Sequence, residues 1–514
     1  MALTTGSKLI AFCALNLVFA ATVIVGAAMN GGDTSKLAYV ALMFAICTSP
    51  LPFIRSLNGP VAILTVATTL YFAEFALLDT VRMFSSSSSL VHSSELLDLA
   101  EVIILAGVVC KIGGFAALFW LWPSRVRTTP AKDWPREWLV PIGLLLWIAG
   151  NTATIAQSLF IIPDNTDAST IAGFAKLGTW GTTGLLLVAN YAGPLGVMIL
   201  AYWWSVTTQR SATALIIFVI VAQFIVGWIV DTKEIAVAAP LIIFLTRLIT
   251  QGRLPVKWLV CGLLGVALVF PVLTAKRLIV TEALHLTRLE AVPRSFEILW
   301  RAISERDVVA KGIKYDQASQ NFIERFTDKG AIGIFAAHMG VDHPYRMGDT
   351  LDQLLYTFAP RVFWAEKPGG NSSQLFNREF HLSEDPDTHI SPSHLGELYW
   401  NFGMPGVVVG MTLLGLLLAY VTVAFDPSQG ASITRVLVIM VTIYDVVVRG
   451  GGQLELEYVV WIRTMLLIGV LHFALARAPR STGAVDPKIA TNRLPTAGHD
   501  LTERAAIRYP NLLR

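Results

Sequence analysis

Long apolar stretches are the feature that most restricts what this chain can fold into. Each is about 20 residues long, which matches the hydrocarbon thickness that one helix must cross. Lipid offers no partner to backbone polar groups, so such stretches are predicted to be helices. The predicted spans are residues 9–29, 36–54, 60–78, 101–122, 138–161, 181–204, 212–230, 234–250, 256–275, 406–425, 431–448 and 458–476. The sequence therefore predicts an all-α polytopic membrane protein with about 12 transmembrane helices.

Composition excludes several other classes of protein. The chain is 54% hydrophobic and 15% charged, which is too apolar for an ordinary soluble domain. The four cysteines all lie in apolar stretches, so they are expected to pack as small hydrophobes rather than form disulfides. Because the net charge is only +3 and no basic run with interleaved aromatics occurs, a nucleic-acid partner is not expected.

Lysine and arginine alternate between the predicted loops and give an orientation. Loops such as "SRVRTTPAKDWPRE" and "TRLITQGRLPVK" are basic, whereas "NGGDTSK" and "IIPDNTDAST" hold few cations. Basic loops remain in the cytoplasm, so both termini are predicted there. The expected organisation is a bundle of about nine spans over 1–275, an external loop domain of amphipathic helices over 276–405, three spans over 406–476 and a flexible cytoplasmic tail over 477–514.

Charged residues within the spans are expensive in lipid, so their depth is informative. Five are predicted at the outer ends of their helices: Glu74, Lys233, Asp445, Arg449 and Arg463. Lys111, near the middle of its span, is the exception. Together they indicate a polar cavity that opens outward beneath the long loop. Alternatively, each charge reaches the interface or pairs with a neighbour, as Arg449 could with Asp445.

The loop segment "FAPRVFWAEKPGGN" carries a second constellation. Arg361 and Lys367 flank an aromatic pair, and Gly369 and Gly370 follow Pro368 and expose backbone N–H groups. Two cations with free N–H groups suit a phosphate. The alternative is a basic turn that contacts lipid headgroups.

The stretch "SPSHLGELYWNFGMPG" predicts a short helix before the next span. Ser391 is expected to cap it, with Pro392 as its first residue, and Gly403 and Pro405 are expected to break it.

On this helix His394, Glu397 and Asn401 share one face, and Leu395, Leu398 and Phe402 share another. We expect the polar face to turn toward the cavity, where a carboxylate or imidazole could accept a proton from a hydroxyl. The alternative is a structural interfacial helix whose Tyr399 and Trp400 belong to the aromatic belt.

Three of these segments resemble the O-antigen polymerase family, also called oligosaccharide repeat-unit polymerases. They are "GELYWNFGMPG" at Gly396–Gly406, "PRVFWAEKP" at Pro360–Pro368 and "TK" at Thr232–Lys233, where relatives often carry an arginine in place of the lysine. The resemblance implies a GT-C-like glycosyltransferase of the bacterial inner membrane. Such an enzyme moves glycan from undecaprenyl diphosphate to a sugar hydroxyl of the next lipid-linked oligosaccharide at the periplasmic face. It needs no cofactor and could work with a chain-length regulator.

This chemistry needs clustered cations for the departing diphosphate and one base for the attacking hydroxyl, which gives a hypothesis for individual residues. Glu397 or His394 would be the catalytic base. The predicted diphosphate-binding residues are Lys233, Arg361, Lys367 and Arg449, and the predicted substrate groove consists of Tyr399, Trp400 and Asn401. No metal site is expected, and "DPDTH", which ends at His389, is only a weak candidate.

Other functions fit parts of the same pattern. A ligase that moves finished glycan to another acceptor would share the spans, the loop and the leaving group. A transporter or flippase for the lipid-linked sugar would favour central charges and broken helices, for which Lys111 and "ANYAGPLG" are the candidates. A scaffold without enzymatic activity would leave the outward bias of charge unexplained.

Overall fold

The computed structural model describes the chain as a set of helices with gaps between them. The described residues are 5–30, 36–54, 56–77, 79–80, 94–121, 133–156, 180–207, 209–230, 233–253, 329–356, 372–382, 390–430, 432–448 and 452–477, with isolated positions between 256 and 364. The described residues up to Ala476 belong to one compact unit. Most of the predicted span 256–275, of the predicted loop domain and of the predicted tail lies outside the described residues.

Fourteen α-helices are described, and no strand occurs among the described residues. They are α1 Thr5–Asn30, α2 Leu37–Thr48, α3 Pro60–Phe75, α4 Ser94–Leu121, α5 Leu139–Ala156, α6 Trp180–Val206, α7 Arg210–Val230, α8 Lys233–Gln251, α9 Lys329–His338, α10 Asp352–Tyr356, α11 Ser372–Phe380, α12 Ser393–Ala424, α13 Ile433–Val441 and α14 Leu454–Ala476. Helix α13 continues as a π-helix over Thr442–Val448.

Within the described residues, six helical segments are long and apolar enough to cross a membrane: Ser7–Gly26, Asp98–Leu121, Arg136–Ala156, Arg210–Val230, Ser393–Ala424 and Glu457–Ala476. Three shorter apolar helical segments accompany them, at Leu37–Phe53, Pro60–Phe75 and Ile235–Gln251. Large side chains such as Leu145 and Phe218 remain more than half exposed, as lipid-facing residues do. The prediction of a helical membrane protein is therefore confirmed.

Helices α4 and α12 pack with their backbones in direct contact. A Cβ atom on Gly114 would overlap the carbonyl oxygen of Thr412, and one on Gly415 would overlap that of Lys111. Small residues permit this approach between apolar helices, where lipid supplies no hydrophobic drive for association. The contact places Lys111 of α4 beside α12.

Helix α12 has a break where the sequence predicts one. Gly403 leaves the helical region with φ 63° and ψ −153°, a conformation that glycine tolerates, and the edge of the Tyr345 ring lies against it. Residues 393–402 and 404–424 are thus two segments of one element. The sequence placed this break correctly because glycine and proline act locally.

The start of α12 differs from the prediction. The helix begins at Ser393, one residue after Pro392, and Ser391 Oγ accepts the N–H of Ser393 at 3.4 Å. Ser393 Oγ in turn accepts the N–H of Gly396 at 3.2 Å. The first segment is also not an amphipathic surface helix, because every residue from 393 to 401 is buried. Helices α4, α9 and α14 surround it, so its Leu395 and Leu398 side chains lie in protein. Phe402 alone of that predicted face is exposed, at 38%.

Candidate functional site

Charged and phenolic side chains from four helices meet inside the bundle. We call this group the polar cluster. Its members are Tyr71 and Glu74 of α3, Lys111 of α4, His394 and Glu397 of α12, and Glu457 and Tyr458 of α14. Buried ionisable groups in a membrane bundle are expensive and mark functional sites. The polar cluster is therefore the first candidate site.

A histidine and a carboxylate form the centre of the polar cluster. Nε2 of His394 lies 2.9 Å from Oε2 of Glu457, and both residues are at least 90% buried. Nδ1 of His394 has no hydrogen-bond partner among the described residues. In the tautomer whose Nε2–H donates a hydrogen bond to Glu457, Nδ1 carries a lone pair. A carboxylate that orients an imidazole in this way is the arrangement of many general bases.

Glu397 has a different partner. Its Oε2 accepts the backbone N–H of Leu454, the first residue of α14, at 2.8 Å. A carboxylate at a helix N-terminus satisfies a donor that the helix leaves unpaired and interacts favourably with the helix dipole. The predicted span 458–476 begins after Glu457, whereas α14 starts at Leu454 and includes Glu457 in its first turn. Glu397 thus positions the helix that carries Glu457.

Lys111 supplies the cation of the polar cluster. Its Nζ donates to the hydroxyl of Tyr71 at 3.1 Å and lies 4.3 Å from the centre of that ring. Its charge interacts with both Glu74 and His394. Lys111 is only 3% exposed, so its aliphatic stem does not reach an interface. The residue that the sequence pattern set apart as an exception is part of the candidate site.

Asn401 and its neighbours connect α12 to the segment that precedes α10. The amide of Asn401 donates to Oγ1 of Thr350 at 2.6 Å and accepts the N–H of Gly348 at 3.0 Å. The carbonyl oxygens of Trp400 and Asn401 accept the N–H groups of Arg346 and Met347. Asn401 therefore anchors residues 346–350.

Trp400 and Tyr399 lie in the core rather than at an interface. Trp400 is fully buried and its ring stacks on Phe335 at 5.1 Å between centroids. Tyr399 is 8% exposed and meets Tyr345 edge to face at 6.3 Å. Both rings are thus buried in protein, and the groove role of Tyr399, Trp400 and Asn401 stays a prediction.

The side chains of the predicted diphosphate-binding cations lie outside the described part of the structure. Lys233 is the first residue of α8, and its side chain lies outside the described part of the structure. Arg361, Lys367 and Arg449 also lie outside the described residues, as does His389. The structure places His394 and Glu397 one turn apart on α12, and each contacts the start of α14. The diphosphate-binding role of the four cations stays a prediction.

A cavity of about 210 Å³ lies among α5, α6, α7, α8, α14 and the π-helix. Its polar lining consists of Asn151, Thr154, Tyr191, Gln223, Tyr444, Asp445 and Thr464. Gln223 accepts a hydrogen bond from the indole of Trp147 at 2.9 Å. Asp445, which was predicted near an outer helix end, sits on the π-helix, a feature often found at functional sites. The cavity is a second buried polar region.

The residues that follow α9 form a third polar group, which the sequence analysis missed. One ligand atom each of His338, Asp342 and His343 lies within 4.8 Å of the others. A hydrogen bond from His338 holds the pKa of the Asp342 carboxyl below its usual value. The spacing "HMGVDH" was visible in the sequence, but only the turn brings both rings to the same side.

No protein-family model matches the chain, and neither a curated protein nor a solved structure is similar enough to count as a match. The function must therefore be inferred from the side chains themselves.

Proposed function

We propose that the protein is a membrane glycosyltransferase that polymerises lipid-linked oligosaccharide repeat units. It would take glycan from undecaprenyl diphosphate and add it to a sugar hydroxyl at the periplasmic face of the bacterial inner membrane. A GT-C-like bundle of about 12 spans belongs to the same proposal. The observation that carries it is the buried pair of His394 and Glu457, since attack by a hydroxyl needs one positioned base.

In this mechanism His394 removes the proton from the acceptor hydroxyl through Nδ1, and Glu457 stabilises the imidazolium that forms. The acceptor oxygen bonds to the anomeric carbon of the donor sugar. The bond from that carbon to the diphosphate oxygen breaks, and its electron pair leaves with the lipid diphosphate. Lys111 and the predicted cations Lys233, Arg361, Lys367 and Arg449 would neutralise the leaving group.

Between the two predicted bases, the geometry favours His394. Oε2 of Glu397 accepts the N–H of Leu454. A glutamine at position 397 could not act as a base, but its amide oxygen could still accept that N–H. His394 has the oriented ring, and its Nδ1 has no hydrogen-bond partner among the described residues. The burial of both residues would exclude water, which protects a glycosyl donor from hydrolysis. Glu397 then acts as a positioning residue.

The test compares three variants in a strain that lacks the chromosomal copy. We expect His394→Gln to abolish chain extension, whereas Glu397→Gln retains a measurable fraction because glutamine can still accept the Leu454 N–H. His472→Gln is the matched control, since His472 is a partly buried histidine of α14 that interacts with Trp134 and Thr434 away from the polar cluster. Glycan length on gels is the readout. Extension by the His394→Gln protein at the wild-type rate would exclude His394 as the base.

The same strain separates polymerase from ligase. Loss of a polymerase leaves single repeat units attached to their final acceptor, whereas loss of a ligase leaves none attached.

A lipid-linked sugar transporter is the second candidate, and Lys111 favours it. A buried lysine in the middle of an apolar helix, with Glu74 and His394 near it, is typical of proton or substrate pathways. Purified protein in detergent distinguishes the two functions, because no membrane barrier is present there. Elongation of lipid-linked units under these conditions supports the transferase, and its absence together with flipping in liposomes supports the transporter.

A further inference from the structure

The turn that ends α9 is built so that three side chains project together. His338 is the last residue of the helix, and Gly340 follows in the left-handed region with φ 79°. The carbonyl oxygen of His338 accepts the N–H groups of Val341, Asp342 and His343 at 3.1 to 3.2 Å. The N–H of Gly340 donates to the carbonyl oxygen of His343 at 2.7 Å. This closed turn fixes the backbone of all three ligand-type residues.

The side chains on this turn have the right chemistry and exposure for a metal ion. His338, Asp342 and His343 are 43%, 55% and 33% exposed in their side chains, so an ion can reach them from solvent. Their ligand atoms lie within 4.8 Å of one another. Around one zinc ion such atoms lie about 3.3 Å apart, given bonds of about 2.0 Å and tetrahedral angles. Small rotations of exposed side chains cover the difference.

We propose that His338, Asp342 and His343 bind a divalent first-row metal ion, with Zn²⁺ as the representative. Two imidazoles and one carboxylate suit a borderline cation better than Mg²⁺ or Ca²⁺, which prefer oxygen ligands throughout. Three protein ligands leave a coordination position open for water or for an oxygen of another molecule.

Neighbouring residues support the two imidazoles from outside. Oε1 of Glu379 lies 3.5 Å from Nδ1 of His343, and Arg346 holds Glu379 in an ion pair. The ring of Phe380 lies 5.1 Å from that of His343 and 5.7 Å from that of His338, centroid to centroid. Carboxylates behind metal-bound histidines and packed rings around them orient the ligands. A simple surface ion pair between His338 and Asp342 would not need this surround.

The site is linked to α12 through the backbone that follows it. Arg346 and Met347 donate to the carbonyl oxygens of Trp400 and Asn401, and Tyr345 packs on Gly403. An ion bound by His338, Asp342 and His343 would crosslink the turn only a few residues before these contacts. We therefore expect Zn²⁺ to slow amide hydrogen exchange over residues 338–350.

The test uses full-length protein in detergent, stripped with a chelator and titrated with Zn²⁺ in a calorimeter. We expect one ion per chain and at least about tenfold weaker binding in each of His338→Gln, Asp342→Asn and His343→Gln. His381→Asn is the matched control, because His381 is an exposed nearby histidine with φ 50° that asparagine tolerates, and it is outside the group. Its affinity should equal that of the wild type.

Binding of Co²⁺ to the unaltered protein gives a readout that needs no variant. A visible absorption band typical of low-coordinate cobalt with nitrogen ligands, displaced by one equivalent of Zn²⁺, supports the site. Wild-type affinity in both histidine variants, or equal loss in the His381→Asn protein, would overturn the proposal. Neither readout depends on glycan transfer, so the two proposals fail separately.

Discussion

Two groups of buried polar side chains lie in this bundle, the polar cluster around His394 and the 210 Å³ cavity beside the π-helix. The polar cluster holds a lysine, a histidine and three glutamates. The cavity is lined mainly by amides and hydroxyls, with Asp445 as its carboxylate. Charged groups buried together need close opposite partners, whereas neutral polar groups can line a space that holds water. The comparison predicts different responses to substitution.

The largest difference in stability loss is expected between a variant that removes a charge from the polar cluster and one that removes a neutral group from the cavity. Lys111→Met deletes the cation that interacts with Glu74 and His394, and breaking a buried pair from one side costs about 3–5 kcal/mol. Gln223→Leu leaves the Trp147 indole without its acceptor and should cost about 1–3 kcal/mol. Unfolding in mixed micelles with increasing SDS measures both.

A second variant distinguishes loss of charge balance from loss of packing. Adding Glu74→Gln to Lys111→Met removes both charges, so most of the lost stability should return. If the double variant is as unstable as the single one, the two residues are not coupled and the polar cluster is not held by this pair.

The backbone contact that brings Lys111 to the polar cluster gives the next effect. Gly114→Ala forces a Cβ against the Thr412 carbonyl, and such overpacking typically costs about 1–3 kcal/mol. Gly113→Ala is the matched control on the adjacent residue, where a Cβ would meet nothing within 4 Å. Alanine there should stabilise α4 by up to about 1 kcal/mol through helix propensity. Equal effects of the two changes, measured by the same unfolding assay, would show that α4 and α12 are not in contact.

Local rules predicted much of the helical structure, but not the contacts that build the polar cluster. Apolar length gave the spans, and Gly403 gave the break in α12, because both depend on neighbouring residues. The partner of His394 is Glu457, 63 residues away, and α14 begins early because Glu397 caps it from another helix. Lys111 was the exception among the predicted charges, and the structure places it beside α12 because glycines let α4 and α12 approach closely. These contacts join different helices, so the residue periodicity of a single helix cannot predict them.

The smallest effect should appear at the cavity. Gly193 lines the cavity from α6, and a Cβ there would lie 3.7 Å from Cα of Gly150, an ordinary contact. Gly193→Ala should therefore change the free energy of unfolding by less than about 1 kcal/mol, because the added methyl group fills empty space but also lies beside Cδ of Pro194, which disfavours a helical conformation for the residue before it. In Gly196→Ala, by contrast, the Cβ meets Gly143 O at 2.6 Å and should destabilise the same helix pair. Destabilisation of equal size by both changes would mean that the space beside Gly193 is occupied.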